Sequence, residues 1–422
     1  MNTERRYDVD WLRVILFGLL IWFHYAVFSL GILFENRGAV EDNLPLFFII
    51  SVMHQWRLAA LFVISGMGTA FAFRRKTTGL YLKERGVRLL VPLLFTTYLL
   101  FWGIATPIDA TKRLLTIFPG ADEMPYGHLW FVYNLLIYSV ILTPLFTHIR
   151  NNPDGKLVNS VRTILKMPFG IGILIFPSLI LALNGILFKP WAFGEVGMWW
   201  EFPRYMLYFL FGYLLISAKE EYFAVLDKIR IPVTIMTPIL ALMYFGFQET
   251  TNIPKIMEGG WVPAGHMAIS GDTINSAFIQ SFHAWFWCLL IFSWASKFLN
   301  RASDRLTYLN QSIYPAYIVH MHITFVTIII LEIMGLSYYS GLIVGTLIVG
   351  AICLFIFEIV KRAKLARPFF GIKEIPVKKI KDEGPGSLDR RIQSVVGSVI
   401  FHILSLVIVL IMMAALAAMA EG

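Results

Sequence analysis

The chain has 422 residues, of which 57% are hydrophobic, 15% aromatic and only 15% charged, with a mean hydropathy of +0.68. That balance excludes an ordinary soluble domain, because there is more apolar surface than one core can bury, so lipid must solvate the rest. The net charge of +9 would suit nucleic acid if the cations formed one patch, but they are distributed loop by loop and act as a topology signal.

A helix needs roughly 20 apolar residues to cross the hydrocarbon core. Runs of that kind predict an all-α integral membrane protein of about eleven transmembrane helices. In chain order they fall at 11–34, 46–73, 87–108, 128–147, 168–188, 199–217, 231–247, 274–297, 308–333, 338–360 and 394–417. The second run is long enough to hide a break or a re-entrant piece near Pro45 and His54. With the N-terminus cytoplasmic, segments 1–10, 74–86, 148–167, 218–230, 298–307 and 361–393 lie inside and hold 26 of the 36 Lys and Arg. The opposite loops hold Arg37, Lys112, Arg113, Lys189 and Lys255. This positive-inside pattern predicts a cytoplasmic N-terminus and an outer C-terminus. The first run is too long for a cleaved signal, holds Arg13 and His24, and lacks a small-residue cleavage pattern.

Three segments follow: a ten-span core over 1–365, a cytoplasmic basic linker over 366–393 and an additional C-terminal helix over 394–422. The last helix, Ala- and Leu-rich with His402 as its polar residue, reads as an anchor. Loops 109–127 and 248–273 face outward and are long enough to form a lid or an acceptor-binding surface. Cys288 and Cys353 both lie in apolar spans, so no disulfide framework or thiolate metal site is expected.

Ionisable groups in hydrocarbon cost on the order of 2.5–3.5 kcal/mol at a helix centre, so each one marks a functional hypothesis. Arg13 and His24 fall within about 20° of one helix face and about 16 Å apart along the axis, at 100° and 1.5 Å per residue. Arg57 in the second span comes to the depth of His24, with His54 one turn away. In the ninth span Tyr314, His320 and His322 occupy the middle third. Three helices can therefore converge on one buried polar site. A neutral imidazole in low dielectric is a competent general base for a hydroxyl, and nearby cations can stabilise an oxyanion or hold an anionic donor. The bland reading is a histidine satisfied by a neighbouring helix.

At the inner mouth Arg85 and Arg88, at i and i+3, project from one side of a helix start and suit bidentate phosphate binding. The adjoining Arg74-Arg75-Lys76 reads mainly as a contact for anionic lipid, with Arg75 kept as a candidate for the same phosphates. Trp199, Trp200, Trp285 and Trp287 read as interfacial or packing aromatics.

Several motifs in order carry a family resemblance: Arg6-Tyr7-Asp8-Val9-Asp10-Trp11-Leu12-Arg13, the ten residues between Arg13 and His24, Trp56-Arg57-Leu58 before Leu61-Phe62-Val63-Ile64-Ser65-Gly66, Glu84-Arg85-Gly86-Val87-Arg88, Gly127-His128-Leu129-Trp130-Phe131, and Ser312 to His320. Together they resemble the acyltransferase-3 family of bacterial membrane acyltransferases, in the branch with the glucan succinyltransferases. That resemblance implies transfer of an acyl group of the acetyl or succinyl class from cytoplasmic acyl-CoA to a hydroxyl on a glycan or other outer-side acceptor. It implies Arg13 and His24 as the catalytic pair, and Arg85 and Arg88 as the donor-binding Arg-x-x-Arg motif. Asp10 and Glu84 are expected to orient arginines, and Arg57, His54, His128, Tyr314 and His320 to line or support the pocket. No metal and no nucleic-acid partner is expected. The chain departs from the family at Arg57-Leu58-Ala59, where many members read His-x-Pro, and in its eleventh helix. Two other classes remain open: a proton-coupled secondary transporter or flippase of an anionic solute, and a bis-histidine haem protein using His24 and His320.

Overall fold

The computed structural model describes residues 6–33, 44–97, 127–188, 201–251 and 271–372, and every regular element among them is helical. The long helices α1 (Tyr7–Leu33) and α2 (Leu44–Phe73) come first. Then α3 (Thr78–Arg85) runs through a π-helical turn, Gly86–Leu90, into α4 (Val91–Phe95). A 3-10 turn at Gly127–Leu129 opens α5 (Trp130–Ile141), followed by α6 (Thr143–Asn151) and the surface helix α7 (Lys156–Leu165). The rest is α8 (Ile171–Phe188), α9 (Glu201–Ser217), α10 (Lys219–Thr251), α11 (Gly271–Phe298), α12 (Asp304–Ile333) and α13 (Tyr338–Arg362), closed by a 3-10 turn at Arg367–Phe370.

By length and hydropathy α1, α2, α8, α10, α11, α12 and α13 can each cross a membrane, and α5 with α6 makes an eighth span bent by 51°. Pro144 in the first turn of α6 withholds a backbone donor where the helix breaks. The 17 residues of α9 and the stretch from Gly86 onward coincide with two more predicted spans. The eleventh run, the linker from 373 on, and most of both long outer loops lie outside the described residues. Two expectations change. The second run is one continuous helix through His54, and 219–230, expected as loop, is the first third of α10.

α2 is the hub, packed against α1, α9 and α11, while α12 packs on α1 and α13. Its crossing with α9 depends on two glycines: a Cβ on Gly66 would stand 1.9 Å from the Phe209 carbonyl oxygen, and one on Gly212 would stand 2.0 Å from that of Val63. Only hydrogen at both positions lets the backbones approach this closely. The outward faces of α10 and α13 carry Ile235, Leu242, Ile343 and Leu347 in the open, as lipid-facing helices require.

The ends of α5 and α9 position the site. Arg204 of α9 donates to Gln55 of α2. Trp130 at the start of α5 packs beside Phe62 of α2 and Tyr205 of α9. The first turn of α5, with its positive amino-terminal end, thus follows directly on His128 and packs against α2 and α9.

Candidate active site

Acidic Asp8 and Asp10 open α1, where the helix dipole favours them. Arg6 pairs with Asp8 at 2.7 Å and donates to Ser296 at 2.9 Å, tying the start of α1 to the C-terminal end of α11. One turn deeper, Arg13 lies 3.6 Å from Asp10. Its Nη1 donates to Asn310 Oδ1 at 3.3 Å, and Asn310 Nδ2 donates to Asp10 at 3.0 Å. Its other terminal nitrogen lies over Gly68 of α2, 3.0 Å from where a Cβ would stand. The next residue, Thr69, accepts a 2.7 Å hydrogen bond from Arg85, whose guanidinium also covers the Tyr81 ring. Arg13 and Arg85 therefore meet across adjacent residues of α2. Arg88, exposed at the same mouth, is in electrostatic reach of both and of Tyr314 and Glu84.

The backbone between Arg85 and Arg88 is π-helical, and Pro92, which lacks an N–H, follows it. The wide turn changes the plain i, i+3 spacing expected from sequence. Glu84 pairs with Lys76. Arg74 is spent on the Ile216 carbonyl at the end of α9, at 2.8 Å, and Arg75 is exposed. After α13 the chain crosses this mouth. Gly371, at φ 62°, sits where a Cβ would stand 2.4 Å from the Tyr314 ring and 3.1 Å from the Arg88 carbonyl oxygen, and Phe369 packs on Phe95 at 4.8 Å.

At mid-depth α1, α2 and α12 converge, joined by the turn before α5. His24 Nδ1 is 3.0 Å from His320 Nε2, with the rings stacked at 5.2 Å. His54 stacks on Phe23 at 5.7 Å, and the Arg57 guanidinium lies 3.6 Å from the centre of the same Phe23 ring. His128 meets His320 edge-on at 5.3 Å and His322 at 6.0 Å. Its Nε2 donates to the carbonyls of Tyr317 and Ile318 at 3.2 and 3.1 Å, and the Tyr317 hydroxyl donates back to the His128 carbonyl. Arg57 is 1% exposed, and its Nε and Nη1 make no hydrogen bond. A buried guanidinium whose donors no protein group takes up is suited to stabilise negative charge that forms beside it. Among the described residues no group of three or more His, Cys, Asp or Glu side chains is disposed to hold a metal.

The structure therefore gathers the candidates into one group near the start of α1, Asp10, Arg13, Arg85, Arg88, Glu84 and Tyr314, and a second further along it, His24, His54, Arg57, His128, His320 and His322. Both are reached from one face of α1. Sequence reasoning missed Asn310, which braces Arg13, and a buried cluster on α9 in which Arg204 binds Glu201 at 3.2 Å and Gln55 at 3.2 Å. The rule that flagged Arg13 and Arg57 applies equally to Arg204, a cation inside an apolar run. Nothing flags Asn310, an ordinary polar residue near a helix end. Trp285 and Trp287 are packing residues, the first donating to the Ile173 carbonyl at 2.7 Å and the second stacked on Trp56.

The acyltransferase domain, in its acyltransferase-3 form, matches residues 6–357. Glucans biosynthesis protein C of Escherichia coli K12 is 24% identical over 407 residues, covering 91% of this chain and 98% of that protein, and its counterpart in strain EC4115 of Escherichia coli O157:H7 has the same figures. No solved structure matches. The chain thus belongs to the acyltransferase-3 family, and is a multi-pass membrane enzyme that transfers acyl groups other than aminoacyl groups.

Proposed function

We propose that the enzyme takes an acyl group, of the acetyl or succinyl class, from acyl-CoA on the cytoplasmic side and places it on a hydroxyl of a glycan or other outer-side acceptor. It does so in the bacterial cytoplasmic membrane, with eleven spans and a cytoplasmic N-terminus. The observation carrying this reading is the joining, along one face of α1, of an arginine group that meets across Gly68 and Thr69 to a histidine pair about 16 Å deeper at helix rise. Phosphates of the carrier suit guanidinium forks, and the thioester extends from them toward His24. A glycan acceptor agrees with the name of the curated relatives.

In the reaction, the acceptor hydroxyl attacks the thioester carbonyl while His24 removes its proton. The negative charge that builds on the carbonyl oxygen is met by the donors of Arg57 and by the positive end of α5. The C–S bond breaks, and the protonated His24 returns the proton to the leaving thiolate. Asp10 and Asn310 hold Arg13 in place, and Tyr314 walls the donor mouth beside Arg88.

The deciding experiment uses purified protein, radiolabelled acyl-CoA and a panel of glycans, with thiol release and label transfer followed together. His24→Ala is expected to abolish transfer to glycan while eluting and melting like the parent. Unchanged transfer would remove His24 as the base.

A further inference from the structure

Two short contacts determine where the protons of the histidine pair sit. His320 Nδ1 stands 2.7 Å from the Tyr317 carbonyl oxygen. A carbonyl can only accept, so this nitrogen carries a hydrogen. In a neutral imidazole the lone pair is then on His320 Nε2, the atom 3.0 Å from His24 Nδ1. His24 Nδ1 must be the donor, which leaves the lone pair of His24 on Nε2, at the opposite edge of its ring. The cations and imidazoles facing the pair are Arg57, His54, His128 and His322, and the Tyr317 ring lies 5.5 Å from that of His320 with its hydroxyl proton donated to the His128 carbonyl. Like charges in low dielectric repel, which favours two neutral rings.

We infer that His320 is a positioning residue that selects the Nδ1–H tautomer of His24 and thereby presents His24 Nε2 to the acceptor hydroxyl. The inference rests on the reading of His24 as the base. It gives His320 the orienting work that a carboxylate performs in a Ser-His-Asp triad, done here by a neutral ring in a site where a second charge would be costly.

The rest of the pocket is arranged to hold that ring still. His320 is fully buried, with Phe17 edge-on at 5.9 Å on one side and His128 edge-on on another. The Tyr317 carbonyl that fixes it belongs to a closed loop. That oxygen accepts from both His320 and His128, and the Tyr317 hydroxyl donates to the His128 backbone. His128 thus orders the acceptor that orders His320, which orders His24. During turnover the proton of the acceptor hydroxyl passes to His24 Nε2 as the C–O bond forms, and leaves on the thiolate sulfur as the C–S bond breaks. Nδ1–H of His24 goes on donating to His320 throughout, so no proton is lost from the pair and no further acid or base is required.

The test reads tautomers directly. Protein labelled with nitrogen-15 at histidine is compared with His24→Gln to assign the His24 signals, in the parent and in two His320 variants. The parent is expected to show the Nδ1–H form, His320→Ala a shift toward Nε2–H, and His320→Gln the parent form, because its amide oxygen accepts in place of Nε2. Acyl transfer should follow: kcat falls on the order of 100-fold in His320→Ala, the KM for acyl-CoA stays within about threefold, and His320→Gln recovers most of kcat. An Nε2–H signal from His24 in the parent, or a His320→Ala protein with parental spectrum and kcat, overturns the inference. So does a folded His320→Gln protein no better than His320→Ala. If His24→Ala still transfers while His24 reads as Nδ1–H, the base assignment falls and the tautomer assignment survives.

Discussion

Replacing Arg57 by methionine should make the protein more stable and almost inactive. Two guanidinium nitrogens of Arg57 are buried without hydrogen bonds, and each such donor costs roughly 1–3 kcal/mol. Against that relief stands the cation–π contact at 3.6 Å on Phe23, worth about 2 kcal/mol or more when desolvated. Methionine keeps much of the packing volume and removes both open donors, so the balance is a gain of about 2 kcal/mol. The thermal midpoint in detergent should therefore rise by about 2–4 °C. Losing a preorganised oxyanion donor should lower kcat by roughly 100- to 1000-fold. Intrinsic-fluorescence melting and thiol release from acyl-CoA measure the two halves on one preparation. A variant that melts earlier but keeps its kcat would show that Arg57 is a packing residue and would refute the reasoning.

Asn310→Ala removes the amide that bridges Asp10 and Arg13, and should raise the KM for acyl-CoA roughly three- to tenfold in steady-state assays, with a smaller effect on kcat. Arg85→Gln and Arg88→Gln should each raise that KM by about tenfold or more, since a charge-assisted contact is worth about 1.5–3 kcal/mol. Arg75→Gln, at an exposed turn, should leave it within about twofold, and equal effects at all three positions would reduce the motif to a general basic surface. Gly212→Val puts side-chain atoms against the Val63 carbonyl. It should lower the thermal midpoint sharply or prevent monodisperse purification, as overpacking costs about 1–3 kcal/mol or more.

Depth was legible in the sequence because helix rise is fixed: counting residues placed Arg57, His24 and His320 at one level, and α1, α2 and α12 bring them there. Charge patterning mistook 219–230 for a connection, because Lys219, Glu220 and Glu221 at a helix start look like loop from composition alone. The packing of α9 on Gln55 and Phe62 of α2 was not legible either, since it is a long-range contact that no local pattern encodes. The π-helical turn at Gly86–Leu90 had a signal in Pro92, whose missing N–H forbids the regular ladder. The bond between His24 and His320 had none beyond their shared depth, since ring orientation depends on side-chain packing.

The spacing between Arg13 and His24 acts as a ruler cut into one rigid rod. A donor anchored at the first and cleaved at the second needs an arm of about 16 Å between its phosphates and its reactive carbon, at 1.5 Å of rise per residue. On the proposed donor path, acyl phosphates and clipped thioesters are expected to fall short of that span, binding at either end without reacting from the anchor, so that carrier length itself would filter the activated acids this enzyme accepts.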